Sequence, residues 1–301
     1  MPGQWHRLSP VAIGSMRRFG AGCRAWLGGA TVVAKGTDEA TAPLHPLSPS
    51  ARPVFHAAVV AAPSLGAAAV VVAVGLPTLL LPFWPDQAIF SLIGRTIAHG
   101  GFPYVDAWDQ KPPSIYFIYA LAIHGPLDVM QNVRAFDLAW TVATVLVLCE
   151  LGRRWWTVRA GVIAGLGYGV VYLTSSGWAR LAQPDSFIGL PLALALLLYE
   201  AARGRRGYLI TAGVLLGFAF QLRFIMALLI PVIPLVELTT APPGHRVRLG
   251  LHRMGWLGAG FIAFQVGVAA YLLVGGALGA YLDATRWAAA YTRADWPWPG
   301  G

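Results

Sequence analysis

From residue 57 onward the chain sets long apolar runs between short clusters of charge. A helix that crosses a membrane needs about 20 mostly apolar residues. The runs 57–83, 135–151, 161–177, 186–202, 208–222, 224–238 and 255–278 each approach or meet that length, and the pattern predicts a helix over each. An eighth run, 113–127, opens on Pro112-Pro113 and closes on Gly125-Pro126, punctuation that brackets a short segment. The stretch 86–99 is amphipathic at helical spacing. Ile89, Leu92, Ile93 and Ile97 fall on one face and Gln87, Ser91 and Arg95 on another, which suits a helix lying in the interface plane.

The basic residues decide how many of these runs cross. Cytoplasmic loops carry the excess of Lys and Arg. If 113–127 crossed, the cluster Arg153, Arg154, Arg159 would fall outside, and Arg203, Arg205, Arg206 and Arg246, Arg248, Arg253 would follow to the wrong side. If 113–127 lies along the outer surface, all three clusters are cytosolic. The expectation is therefore seven spans, with the N-terminus inside and residues 84–134 forming one outer loop. That loop carries two juxtamembrane helices, 86–99 and 113–127.

Composition agrees with a multi-span membrane protein. Of 301 residues, 56% are hydrophobic and 12% charged, about half the charged share of a soluble domain. Such hydrophobicity excludes disorder for most of the chain. Two cysteines, Cys23 and Cys149, make no disulfide framework. The net charge of +9 lacks the basic stripe of a nucleic-acid binder, so no nucleic acid is expected as a partner. Residues 1–56, rich in Pro, Gly and Ser with scattered Arg, read as a poorly ordered cytosolic tail, and 57–301 as the membrane module. Under this topology the cytosolic side holds fifteen basic residues against five acidic ones, and the outer side seven against eight aspartates. The basic excess is thus an orientation signal, and the chemistry belongs on the nearly balanced outer face.

Charges at the junction of a span and an outer loop are costly and by default functional. Asp86 follows the first span directly, although Asp is also a preferred helix N-cap. Asp185, in Gln183-Pro184-Asp185, stands before the span that begins at Ser186, where capping is again an option. Lys111 precedes Pro112-Pro113 and could snorkel. Arg223 sits between two apolar segments with only a tight turn available, and its permanently charged guanidinium calls for an anion.

An aspartate just after the first span, an amphipathic helix ending in Gly-Gly-Phe-Pro-Tyr104, and then Trp108-Asp109-Gln110-Lys111-Pro112-Pro113 resemble the dolichyl-phosphate-mannose protein mannosyltransferase superfamily. Within it, the bacterial polyprenyl-phosphate-sugar-dependent membrane glycosyltransferases are the most similar. The helix start around Arg134 and the segment Arg180–Asp185 follow in the same order. The resemblance covers about 57–296. It implies an all-α, polytopic GT-C fold with two juxtamembrane helices in the first outer loop. It also implies that Asp86 is the catalytic base, that Lys111 lies at the lipid-phosphate site, and that Asp185 is the acidic residue of the next outer loop. The family's first-loop motif is often Asp-Glu, whereas here it is Asp86-Gln87. Some relatives place an acidic metal ligand before Lys-Pro-Pro, whereas this chain has Gln110, so no metal or other cofactor is expected to be required.

The implied reaction asks for these residue types. Transfer from a polyprenyl-phosphate sugar expels a lipid phosphate and deprotonates an acceptor hydroxyl. A carboxylate base supplies typically about 10²–10⁴-fold, and cations stabilise the departing phosphate. Lys111, Arg180 and Arg223 are the candidate phosphate-binding residues, and Asp185, Asp109 and Tyr104 the supporting, acceptor-side residues. A single attack with one base inverts the anomeric centre. Expected partners are the donor, a lipid, glycan or protein acceptor, and membrane lipids. The expected place is the cytoplasmic (inner) membrane, with the site on the outer face. The chain reads as a C-terminal truncation of a longer protein. The alternatives are a degenerate, non-catalytic scaffold and a secondary transporter, for which the two matching halves are missing from the sequence.

Overall fold

The computed structural model describes residues 51–175, 177–202, 205–228, 231–232, 235 and 246–293. The expected N-terminal tail lies outside the described residues as far as residue 50, and most of the expected span 224–238 does too. The first apolar run forms α1 (Ala51–Gly75) and continues as a 3₁₀ turn, Leu76–Leu80. The segments between the first and second apolar runs form α2 (Pro85–Ala98) and α3 (Ser114–Ala122). There follow α4 (Val129–Trp155), α5 (Val158–Ser175), α6 (Gly189–Ala201), α7 (Arg206–Phe220), α8 (Arg246–Val274) and α9 (Leu278–Arg293). Further 3₁₀ turns at Trp178–Arg180, Pro184–Phe187 and Phe224–Leu228 carry the connections.

Among the described residues five helical stretches are long and apolar enough to cross a membrane. They are Ala61–Leu80, Val129–Trp155, Val158–Ser175, Pro184–Ala201 and Val247–Val274, and Arg206–Phe220 is a shorter apolar helix. These correspond to six of the seven expected spans. Among the described residues the architecture is helical, as the apolar pattern predicts for a multi-span membrane protein.

Helices α2 and α3 fall within the segments 86–99 and 113–127 to within a residue at the start, with two differences from the sequence pattern. The second is shorter than 113–127. Asn132 on α4 donates to the carbonyls of Gly125 (2.9 Å) and Leu127 (2.8 Å) and accepts the Leu127 N–H (3.0 Å), which folds the Gly125-Pro126 turn back and ends α3 early. The faces of α2 are also partly inverted relative to a helix at a water interface. Gln87 and Ser91 are buried, whereas Ile89 and Leu92 are exposed at 40% and 61%. Where the surrounding medium is lipid, apolar side chains gain nothing by turning inward, and polar ones turn toward protein partners.

The largest core cluster lies between these helices and the bundle. Phe90 and Ile93 of α2 pack with Ile115, Tyr116 and Tyr119 of α3, and Leu222, Leu272 and Ala284 close it from the other side. Gly94 permits the approach of α2 to α3, since a Cβ there would stand 2.8 Å from the Ala120 nitrogen. Helices α2 and α3 are therefore a packed platform.

Helix α4, about 40 Å long at 1.5 Å per residue, separates two charged ends. At its C-terminus Glu150 pairs with Arg153 and Arg154 (2.6 Å each), and Arg154 approaches Glu200 of α6 (3.9 Å). Nearby, Arg253 lies over the Tyr199 ring and Arg206 over Trp256. At its N-terminus Asp128 caps the helix through the Gln131 N–H (2.9 Å), and Arg134 and Asp137 face the outer-loop segments. The orientation drawn from charge has a direct check in a background lacking Cys23 and Cys149. A cysteine at the exposed Val105 is expected to react with a membrane-impermeant thiol reagent applied to whole cells, and one at Thr157 is expected not to. The reverse labelling would overturn the orientation.

Candidate functional site

A cavity of about 680 Å³ opens at the α4 N-terminal end, lined by Trp84, Asp86, Lys111, Arg180, Asp185 and Arg223 among others. Five of the seven sequence-predicted site residues thus meet in one space. They arrive there from four separate segments of the chain.

Asp86 reaches the cavity because it is not the helix cap. Trp84 occupies the cap position and Pro85 the first helical position, where its missing N–H costs nothing. The exposed Trp84 N–H is taken by Gln87 Oε1 at 2.8 Å. The capping task therefore falls to Gln87, and the half-buried Asp86 carboxylate faces the cavity from the first turn of α2, at the positive end of the helix dipole.

Lys111 is held through its backbone. Its carbonyl accepts from the hydroxyls of Tyr104 (2.7 Å) and Tyr116 (3.0 Å), and the Tyr116 hydroxyl also lies 3.0 Å from Asp109 Oδ2. Burial pushes all three tyrosines here, Tyr104, Tyr116 and Tyr119, above the ordinary phenol range, so they remain proton donors. Burial likewise raises the Asp109 carboxyl, with the Asp86 charge adding to the rise and Tyr116 and Lys111 opposing it. The expected supporting residues Tyr104 and Asp109 do not line the cavity. They stand behind Lys111 and fix its loop, because their polar ends are taken up by that loop's own backbone and by Tyr116.

Arg180 and Asp185 lie on the connection between α5 and α6, and a buried network fixes that connection. The Asp137 carboxylate accepts from the Tyr172 hydroxyl (2.8 and 2.9 Å) and from the Ala182 N–H (3.2 Å). The Tyr172 hydroxyl also lies 2.7 Å from Ser186 Oγ. The Tyr119 hydroxyl donates to the Ala182 carbonyl (2.9 Å), and Gln87 Nε2 donates to the Leu181 carbonyl. Asp185 is not a cap, since Gln183 holds the cap position of the 3₁₀ turn. Its carboxylate instead meets Arg223 in a two-pronged ion pair, Nε to Oδ1 at 2.7 Å and Nη2 to Oδ2 at 2.6 Å. The anion that Arg223 calls for is Asp185.

Tyr104 (φ +71°) and Ala182 (φ +56°) both adopt the left-handed region. A non-glycine residue there costs on the order of 1 kcal/mol or more and persists only where its surroundings enforce it. Tyr104 lies in the loop that carries Lys111, and Ala182 between Arg180 and Asp185. Strain is therefore stored in the two loops that present Lys111 and Arg180.

Sequence reasoning placed Arg134 and Asp137 among the outer-face charges without assigning them a task. Arg134 is 1% exposed and the largest fully buried side chain among the described residues. Its Nη2 donates to the Pro82 carbonyl (2.7 Å) and to Gln87 Oε1 (2.9 Å). Arg134 thereby fixes the start of α2, where Asp86 sits, while Asp137 fixes the loop opposite. Their i, i+3 spacing in an apolar helix was the available signal.

A second cavity of about 550 Å³ adjoins the first, lined by Pro112, Leu222, Phe224, Ile225 and Ala288 together with Lys111 and Arg223. The two cations stand on the wall common to both spaces. Among the described residues no three of His, Cys, Asp and Glu come together as a metal-ion site.

The sequence profile of the dolichyl-phosphate-mannose-protein mannosyltransferase family matches residues 110–272, a stretch that holds Lys111, Arg180, Asp185 and Arg223 and begins after Asp86. No curated protein and no solved structure matches the chain.

Proposed function

The chain belongs to the dolichyl-phosphate-mannose-protein mannosyltransferase family of membrane glycosyltransferases, and on that premise we propose that it moves a sugar from a polyprenyl-phosphate donor to a hydroxyl acceptor at the outer face of the cytoplasmic membrane. The observation that carries this reading is the shared wall. Lys111 and Arg223 border a polar cavity on one side and an apolar groove on the other. A lipid-linked sugar has that build, with a phosphate between a polar head and a hydrocarbon chain. The prenyl chain occupies the groove against Phe224 and α9, the phosphate meets Lys111 and Arg223, and the sugar enters the polar cavity.

Asp86 accepts the proton of the acceptor hydroxyl. The hydroxyl oxygen forms a bond to the anomeric carbon as the bond from that carbon to the phosphate oxygen breaks, and the configuration inverts. The electron pair of the broken bond leaves with the lipid phosphate, whose growing charge Lys111, Arg180 and Arg223 stabilise. Such preorganised charge is usually the largest single contribution to rate, and the strained, pinned loops supply the preorganisation. The chemistry draws on charge and proton transfer alone, so no metal or other cofactor is assigned a step.

Donor class is the test. Membranes carrying the chain are expected to transfer sugar from polyprenyl-phosphate sugars and to leave nucleotide sugars untouched. Transfer from a nucleotide sugar, with every lipid-phosphate donor inert, would overturn the proposal.

A further inference from the structure

The Asp185–Arg223 pair occupies the Nε and Nη2 edge of the guanidinium, one of the two forked edges through which a donor phosphate would be held. Both prongs of that edge are engaged, at 2.7 and 2.6 Å, and this paired geometry is the one a phosphate on the same edge would itself adopt. The two residues differ in position. Arg223 borders both cavities, whereas Asp185 borders only the polar one. The pair also joins two independently held elements. Asp185 sits on the loop pinned by Asp137, Tyr119 and Gln87, and Arg223 on the turn after α7, where its N–H donates to the Ala219 carbonyl (3.1 Å). With side chains 45% and 62% exposed, the ion pair is of the weak, exchangeable kind. An arriving phosphate brings at least one full negative charge, with Lys111 to share it.

We propose that Asp185 and Arg223 form a latch that the donor phosphate opens. The phosphate takes over the Arg223 guanidinium, and the released Asp185 carboxylate turns into the polar cavity to accept a hydrogen bond from the acceptor. Donor binding then precedes acceptor binding, and an empty site presents no free Asp185 to an acceptor. This rests on the donor class proposed above and adds an order of events to it. Asp185 is a positioning residue that competes with the donor, and no bond is made or broken at it.

The competition gives a result opposite to simple loss of a site residue. Binding of a sugar-free polyprenyl phosphate to the full chain in detergent is measured by the fluorescence of Trp84 and its neighbours. Asp185→Asn is expected to bind about threefold to fivefold more tightly than wild type, the fold-change equivalent of freeing one exposed ion pair. Asp86→Asn removes the same charge from the same cavity without freeing a guanidinium, and is expected to change affinity less than about twofold. In an Arg223→Gln background the Asp185→Asn gain should disappear. Unchanged or weaker binding by Asp185→Asn, an equal gain from Asp86→Asn, or persistence of the gain without Arg223 would each overturn the latch. Failure of wild type to bind polyprenyl phosphate at all would instead overturn the donor class on which the latch rests.

Discussion

Asp86→Asn is expected to slow sugar transfer by about 10²–10⁴-fold, the usual contribution of a general base, with little change in the donor concentration needed for half-maximal rate. The substitution is nearly isosteric, and the cap of α2 does not depend on it, because Gln87 holds the Trp84 N–H. Folding and donor binding should therefore survive, and the loss should appear in the rate of a single turnover at saturating donor. An amide cannot accept the hydroxyl proton, so raising the donor concentration should not restore the rate. A drop confined to donor affinity would place Asp86 among the binding groups and leave the base unidentified.

Arg134→Ala is expected to produce the largest loss of stability of any single change at this end of the bundle. The side chain is 1% exposed, and its removal leaves a void where large-to-small core changes cost about 2–5 kcal/mol. It also removes the hydrogen bonds to the Pro82 carbonyl and to Gln87 Oε1, each worth on the order of 1 kcal/mol. Thermal unfolding in detergent measures the sum. Arg134→Met separates packing from positioning, because it fills most of the space yet cannot hold Gln87. Arg134→Met is expected to unfold closer to wild type while transferring sugar up to about 10²-fold more slowly, the scale of a misplacement of about 1 Å in a reacting group. Wild-type turnover in Arg134→Met would show that Arg134 only fills space.

Much of the architecture could be read from the apolar runs, because a lipid environment forces the backbone to satisfy itself within helices. The Pro-Pro and Gly-Pro breaks bracketed the segment that holds α3, although the Asn132 contacts that end α3 early depend on a residue in the next helix. Asp86, Asp185 and Arg223 were recognisable as costly charges at span ends, and Lys111 and Arg180 entered through the family resemblance and the phosphate chemistry it implies. The cavity is lined by all five. Their pairings were not legible. Asp185 and Arg223 are 38 residues apart, and nothing in local spacing indicates that one is the other's anion. Tyr104 and Asp109 were read as supporting residues beside the Lys111 motif, and in the fold Tyr104 donates to the Lys111 carbonyl while Asp109 accepts from Tyr116. The inward turn of Gln87 and Ser91 was missed because an amphipathic pattern was weighed as if water lay on its polar side. In this fold the polar side of α2 meets Arg134 and the Leu181 carbonyl.

The fate of a sugar labelled at its anomeric carbon and presented on polyprenyl phosphate tests the central claim most directly. With wild-type membranes and a panel of such donors, the account predicts that the label leaves one of them for a hydroxyl acceptor. Free polyprenyl phosphate should appear in equal amount and the anomeric configuration should be inverted, whereas parallel Asp86→Asn membranes should leave the label on the lipid. Label that stays on the lipid for every donor, or transfer by Asp86→Asn at the wild-type rate, would contradict it.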